Sequence, residues 1–131
     1  MESAPRHQAR ERALTLLYEA ELKGAAPSVV VGELMVAPDG YTSALVETVE
    51  TRRPEIDGMI DDTSIGWDLD RMPVVDRNVL RLAVAELMAR PEVPTAVILN
   101  EAVELASAYS TDDSGRFVNG VLSTLATRIR P

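Results

Sequence analysis

The sequence predicts an all-helical protein. Apolar residues recur every three or four positions along most of the chain, which is the spacing of one face of an α-helix. Several prolines, among them Pro54, Pro73 and Pro94, stand where such stretches begin, and a proline at a helix start loses no hydrogen bond. No convincing alternation of apolar and polar residues marks a set of paired strands. These observations place the 131 residues in the all-α class.

The first helix is predicted from about Arg6 to Lys23. It ends at Gly24, because glycine readily adopts the left-handed conformation that closes helices. Its buried face consists of small and apolar residues at helical spacing: Ala9, Ala13, Leu16, Leu17 and Ala20. The following segment, 25–40, is predicted to be irregular, with one short turn of helix that Ser28 can cap.

Two helices are predicted between residues 41 and 61, separated by Pro54, which ends the first and opens the second. Pro73 starts the next helix. One broad apolar face of that helix is predicted to lie at the centre of the C-terminal part: Val79, Leu80, Ala83, Val84 and Leu87. Arg77 and Arg81 fall on the opposite side.

The last third of the chain predicts two neighbouring helices joined by a short turn. After Pro94, one stripe consists of Ile98, Ala102, Leu105 and Tyr109, and a second consists of Phe117, Val121 and Leu125. Side-chain oxygens at 110–114 can cap the second helix. Asn119 and Gly120 would signal a hairpin turn in a strand context, but helical stripes surround them, so we interpret Gly120 as a close-packing contact inside a helix.

Composition excludes several function classes. The chain has no cysteine and one histidine, His7, so it offers no thiol nucleophile, no histidine-dependent triad and no clustered imidazole metal site. We therefore expect no enzymatic activity, no cofactor and no metal. Its apolar runs are too short to span a membrane, and its first residues lack the apolar core of a signal peptide, so we expect a cytoplasmic protein.

The start of the first helix is the place where binding chemistry is most plausible. The net charge is −8, which repels phosphate, but three arginines against two glutamates give residues 1–12 a balance of +1. Arg6 and Arg10 lie along one margin of the apolar stripe, while Gln8 and Arg12 lie on the outer side. Free amides and the positive end of the helix dipole also suit a phosphate there. The alternative is an ordinary solvated first turn.

Three segments carry a resemblance to a known family. They are HQARERALTLLYEAEL at 7–22, GWDLDRMPVVDRNVLRLAVAEL at 66–87, and VPTAVILNEAVELASAYSTDDSGRFVNGVL at 93–122. In this order and spacing, they resemble the NusB family of bacterial transcription antitermination factors. The resemblance implies two small perpendicular helical bundles with about six to seven helices, here a single domain with an N-terminal bundle at 1–62 and a C-terminal bundle at 63–131.

The resemblance implies an RNA-binding adaptor that works without catalysis. Such proteins bind single-stranded boxA RNA together with NusE, a ribosomal small-subunit protein. They support processive transcription of ribosomal RNA operons by the RNA polymerase elongation complex with other Nus factors. The competing hypothesis is a helical protein interaction module that has lost RNA binding. A homodimer formed through the partner surface is a further possibility.

The resemblance also suggests RNA-binding residues. Arg6, Arg10 and Arg12 match the arginine-rich segment of the family, and substituting Arg10 by Glu is expected to weaken RNA binding without unfolding the chain. Arg116 and Phe117 lie in the FVNG turn that the family places close to RNA. For Phe117, two roles remain open: packing in the core and stacking on a base.

Three further residues complete the set of candidates. Tyr18 lies off the buried face of its helix, where an aromatic ring either stacks a base or fills a groove between helices. Asp76 matches a family position associated with the partner assembly, and Glu86 is a second acidic candidate for a basic partner. Asp76 is equally well explained as a carboxylate that favours the first turn of its helix.

Overall fold

The computed structural model describes residues 4–64 and 66–131, and within these ranges it contains seven α-helices, one 3₁₀ turn and no strand. The helices are α1 (Ala4–Lys23), α2 (Pro27–Gly32), α3 (Gly40–Thr51), α4 (Arg53–Thr63), α5 (Val74–Ala89), α6 (Thr95–Tyr109) and α7 (Asp112–Ile129), with the 3₁₀ turn at Leu69–Arg71. The predicted all-α class is confirmed. Within the described residues no helix combines the length and apolarity needed to cross a membrane.

Residues at the ends of the N-terminal helices determine most of the positions where these helices begin and end. Gly24 closes α1 with φ at +64°, the left-handed conformation predicted for it. The prediction that Ser28 caps α2 is wrong: Ala26 holds the cap position, and Ser28 instead donates its backbone N–H and its hydroxyl to Glu50. Asp39 caps α3 by accepting the Thr42 N–H at 3.0 Å.

Helix α5 is the central element of the fold. It packs against α1, α3 and α4 and also against α6 and α7. Most of its length is enclosed, and its buried residues include the whole predicted face from Val79 to Leu87. Helix α5 contacts helices from both parts of the chain. The division into an N-terminal bundle at 1–62 and a C-terminal bundle at 63–131 stays a prediction.

Arg81 lies opposite the predicted apolar face of α5, and the structure shows that this side of the helix is buried as well. Its side chain is 5% exposed and donates to Asp57 at 2.8 Å and to Glu21 at 3.1 Å. Arg77 also binds Glu21, at 2.8 Å. A helix buried on nearly all sides cannot leave its polar positions in solvent, so these arginines are paired with carboxylates from α1 and α4.

The C-terminal end of the chain closes α5. Arg130 donates to the carbonyl oxygens of Leu87, Arg90 and Val93 at 3.1, 2.8 and 2.7 Å. The last carbonyl groups of a helix have no partner within the helix, and here the Arg130 guanidinium satisfies that of Leu87 and also binds two carbonyls of the turn that follows α5. The basic character of Arg130 is therefore used inside the fold.

The close packing of α6 and α7 depends on a different glycine from the one predicted. A Cβ at Gly120 would meet nothing within 4 Å, so the interpretation of Gly120 as a packing contact is wrong. A Cβ at Gly115 would lie 2.3 Å from Ser107 Oγ and 3.4 Å from the Val103 carbonyl oxygen. Gly115 therefore permits α7 to approach α6 at its first turns.

Alanine substitutions at these two glycines are expected to differ in their effect on stability. Gly120→Ala should raise the free energy of unfolding by about 0.5–1 kcal/mol, because alanine restricts the unfolded chain and meets no neighbour. Gly115→Ala should show no such gain, because its methyl group displaces Ser107 and stays tight against α6. Urea denaturation measures both variants; an equal gain in both would contradict the close approach at Gly115.

Candidate nucleic-acid interface

The exposed face of α1 presents Gln8, Arg12 and Tyr18. Gln8 and Arg12 are exposed, and Tyr18 is 38% exposed, so the predicted outward position of these three side chains is confirmed. Arg6 is partly buried, with its guanidinium carbon 5.2 Å from the centre of the Tyr41 ring. Arg90, at the end of α5, stacks on the same ring at 4.6 Å. Cations within this range of an aromatic centre are attracted by its π-electrons.

Arg10 differs from the other arginines of α1 because it is buried. Its side chain is 2% exposed and donates from Nε and Nη2 to Glu86, with the shortest contact at 2.6 Å, and from Nη1 to Glu101 at 2.9 Å. Arg10 was predicted to lie at the margin of the apolar stripe. Leu14 lies beyond Arg10 on the helix surface and is also buried, so Arg10 falls within the buried face of α1. The structure thus corrects the position expected for Arg10, which is not on the exposed face.

Glu86 is likewise enclosed and is not a surface contact for a partner. Its carboxylate accepts both Arg10 donors and the Tyr41 hydroxyl at 2.6 Å. Burial, and then the hydrogen bond to Glu86, raise the pKa of the Tyr41 hydroxyl well above its usual range. The position expected for Glu86 is corrected: it belongs to a buried ionic cluster that joins α1, α3, α5 and α6.

A pocket of about 270 Å³ opens between the start of α5 and the start of α7. Its residues come from three separate parts of the chain: Trp67, then Met72, Pro73 and Asp76, and then Thr111, Asp113, Ser114 and Phe117. The rings of Trp67 and Phe117 meet edge to face, with their centres 6.4 Å apart. Trp67 is 52% exposed, so an aromatic surface remains open to solvent at the pocket.

Asp76 supplies a buried acceptor to this pocket. The residue is 4% exposed, and its Oδ1 is the buried side-chain atom without a hydrogen-bond partner among the described residues. Buried polar atoms are nearly always paired, and an unpaired one costs about 1–3 kcal/mol. A ligand that carries an N–H donor and a flat apolar body therefore has complementary chemistry here.

Arg116 and Phe117 are neighbours in α7 but face different surroundings. Phe117 lines the pocket beside Asp76, whereas the exposed Arg116 pairs with Asp113 and lines the groove between α6 and α7. The structure therefore brings Phe117 and Asp76 together and places Arg116 at the side of their pocket.

The end of α6 connects the pocket with the exposed face of α1. Tyr109 is 50% exposed and its hydroxyl donates to Glu11 at 3.0 Å. Thr111, two residues later, lines the pocket. Tyr109 thus lies between α1 and the turn that borders the pocket, and Tyr18 and Trp67 are also exposed.

None of the five aromatic side chains of this protein is fully buried. Aromatic residues normally contribute heavily to cores, but here two rings only border the core and three are exposed: Tyr41 and Phe117, and Tyr18, Trp67 and Tyr109. Trp67 and Tyr109 were missed as candidates from sequence. The signal that could have revealed them is the scarcity of aromatic residues in a chain whose core is filled by leucine, valine, isoleucine and alanine.

Sequence comparison decides the family. The NusB family profile matches residues 7–127. The chain belongs to the NusB family. The transcription antitermination protein NusB of Acidothermus cellulolyticus is 48% identical over 124 residues, which cover 92% of this chain and 86% of that protein. The NusB protein of Salinispora tropica is 47% identical over 128 residues, covering 92% and 94%.

Solved NusB structures share the fold. The T. maritima NusB structure has a TM-score of 0.88 at 29% identity and covers 100% of this chain and 96% of that chain. A structure of the antitermination factors NusB and NusE in complex with double-stranded RNA matches with a TM-score of 0.82 at 31% identity, covering 97% and 99%. The resemblance to NusB drawn from the sequence is confirmed.

Proposed function

We propose that this chain is a cytoplasmic transcription antitermination factor that binds boxA RNA together with NusE and acts without catalysis. In this role it supports processive transcription of ribosomal RNA operons by the elongation complex with other Nus factors. Membership of the NusB family supports this function, and the solved complex of NusB and NusE with double-stranded RNA supports the association with NusE and with RNA in general. The observation on this chain that carries the proposal is the aromatic pocket with the unpaired carboxylate oxygen of Asp76.

The pocket suits one unpaired base of a single strand. A base presents a flat face to the ring of Trp67 or Phe117 and exocyclic amino or ring N–H donors at its edge. Asp76 Oδ1 is the acceptor for such a donor. The role of Asp76 in partner binding stays a prediction, and the contact with a base proposed here is an alternative to it.

The exposed face of α1 provides the phosphate contacts in this proposal. Arg12 and Gln8 lie in the open, and Arg6 stands at the first turn of α1. Tyr18 is exposed on the same helix, and Tyr109 lies against Glu11 of α1. Arg10 contributes by holding α1 against α5 and α6, and Arg116 stands beside the pocket as a further cation.

The acidic net charge favours binding to a basic protein partner. With a net charge of −8, affinity for RNA alone is opposed by repulsion, so a basic partner such as NusE would strengthen RNA binding by lowering that repulsion. The same charge also favours the competing function, a protein interaction module without RNA binding.

Fluorescence anisotropy with a labelled single-stranded boxA-like RNA, with and without NusE and across a salt series, tests the proposal. Binding should tighten with NusE and weaken steeply as salt rises. Trp67→Ala should weaken binding by roughly tenfold, the effect of losing one stacked base. Arg12→Ala should reduce the salt slope by about one.

The matched control is Arg52→Ala, which removes the same charge at an exposed position beside a different groove, lined by Met59 and Arg128. That variant should bind like the wild type. Fully paired RNA of the same sequence should compete poorly if unpaired bases are read. Absence of RNA binding at every salt concentration, even with NusE, would favour the protein interaction module.

A further inference from the structure

One group of ionisable side chains remains outside the proposed RNA surface. His7 Nδ1 lies 2.9 Å from Glu101 Oε1, which joins α1 to α6. Glu104 stands three residues after Glu101 and therefore on the same face of α6. Ligand atoms of His7, Glu101 and Glu104, one from each residue, all lie within 4.8 Å of one another.

This arrangement has the geometry of a partly formed chelate. Zinc ligands lie about 2.1 Å from the ion in tetrahedral geometry, so two of them are about 3.4 Å apart. Ligand atoms that lie within 4.8 Å of one another therefore need to close by about 1.4 Å or less. Glu104 is exposed and His7 is 42% exposed, so both have room to move. Two ligands at positions i and i+3 of one helix, with others from a facing helix, are a known basis for metal sites in helical proteins.

Charge at the site also favours a cation. Glu11 adds a third carboxylate, with its Oε1 3.6 Å from His7 Nε2. Arg10 Nη1 donates to Glu101 Oε1 at 2.9 Å, while its Nε and Nη2 bind Glu86. An imidazole with carboxylates suits zinc and similar transition metals better than magnesium or calcium, which prefer oxygen ligands alone.

We propose that His7, Glu101 and Glu104 bind one divalent transition-metal ion, represented by Zn²⁺, at the surface between α1 and α6. Water completes the coordination, and Glu11 beside His7 Nε2 adds negative charge to the site. The ion cross-links the arginine-bearing end of α1 to α6. Because it binds the folded chain, it raises the thermal unfolding temperature as its concentration exceeds the dissociation constant.

Isothermal titration with ZnCl₂ tests the site on protein without a histidine tag and freed of metal by chelator. The expected result is one ion per chain with a dissociation constant in the micromolar range, together with a rise in the unfolding temperature. His7→Ala and Glu104→Gln should each weaken binding by at least about tenfold. Glu104 is chosen over Glu101 because Glu101 also pairs with the buried Arg10, whereas Glu104 is exposed.

The matched control is Glu47→Gln, which neutralises an exposed carboxylate on α3 and should bind zinc like the wild type. Circular dichroism without metal confirms that each variant is folded before titration. The proposal is overturned if the wild type binds no stoichiometric zinc, or if both His7→Ala and Glu104→Gln retain wild-type affinity.

Discussion

Replacing Arg10 with alanine is expected to lower the free energy of unfolding by about 3–5 kcal/mol, because the change leaves Glu86 charged and buried without its main partner. That loss is a large part of the total stability of a small domain. Urea denaturation followed by circular dichroism measures it. The earlier expectation that Arg10→Glu weakens RNA binding without unfolding the chain therefore changes: such a variant places three carboxylates together in the interior.

Arg12→Ala is the matched control for Arg10→Ala, since both remove one arginine from α1. Arg12 is exposed, and its loss should change stability by no more than about 0.5 kcal/mol. Adding Glu86→Gln to Arg10→Ala should cost less than the sum of the single changes, because the uncompensated charge is removed. Strictly additive losses would show that the two side chains are not coupled.

The second large effect is expected at Arg81. Arg81→Ala removes the link from α5 to Glu21 and Asp57 and should cost about 2 kcal/mol at neutral pH, less than at Arg10 because these carboxylates are 20% and 25% exposed. The stability that Arg81→Ala loses relative to the wild type should be smaller in acid. Burial alone raises the pKa of Glu21, but hydrogen bonds from Arg77 and Arg81 outweigh it and lower the pKa below its ordinary value of 4.5.

The sign of this pH dependence follows from the lowered pKa of Glu21. A carboxylate whose pKa is lower in the folded than in the unfolded protein adds stability above the unfolded value, and that stability is lost as pH falls through the folded value. Denaturation of wild type and Arg81→Ala at pH 7 and below pH 4.5 measures the difference. A difference that does not shrink in acid would show that Arg81 acts by packing alone.

The helices were predictable because their signals are local. Gly24, Pro54, Pro73 and Pro94 act through their own backbone, so their positions at helix ends could be read from neighbouring residues. The cap of α2 was mispredicted because Ser28 has a distant partner in Glu50, and a contact between separate helices leaves no local signature. The same limit explains why Gly115 was missed.

The candidate site was only partly predictable. Helical spacing placed Gln8, Arg12 and Tyr18 outside correctly, since that argument needs one helix alone. Arg10 required knowledge of what covers its side of α1, which only the packed fold supplies. The pocket combines Trp67 and Asp76 with residues of α7, and no sequence spacing brings these segments together.

The stacking of Arg6 on Tyr41 affects how tightly the protein can bind an RNA strand. A long flexible arginine loses about 0.5–1.5 kcal/mol of conformational freedom when a ligand immobilises it. Here the Tyr41 ring already restrains the guanidinium before any ligand arrives, and the Tyr41 hydroxyl is itself anchored on Glu86. In the proposed complex, part of the entropic cost of ordering this cation is met during folding, so the first turn of α1 is preorganised for its ligand.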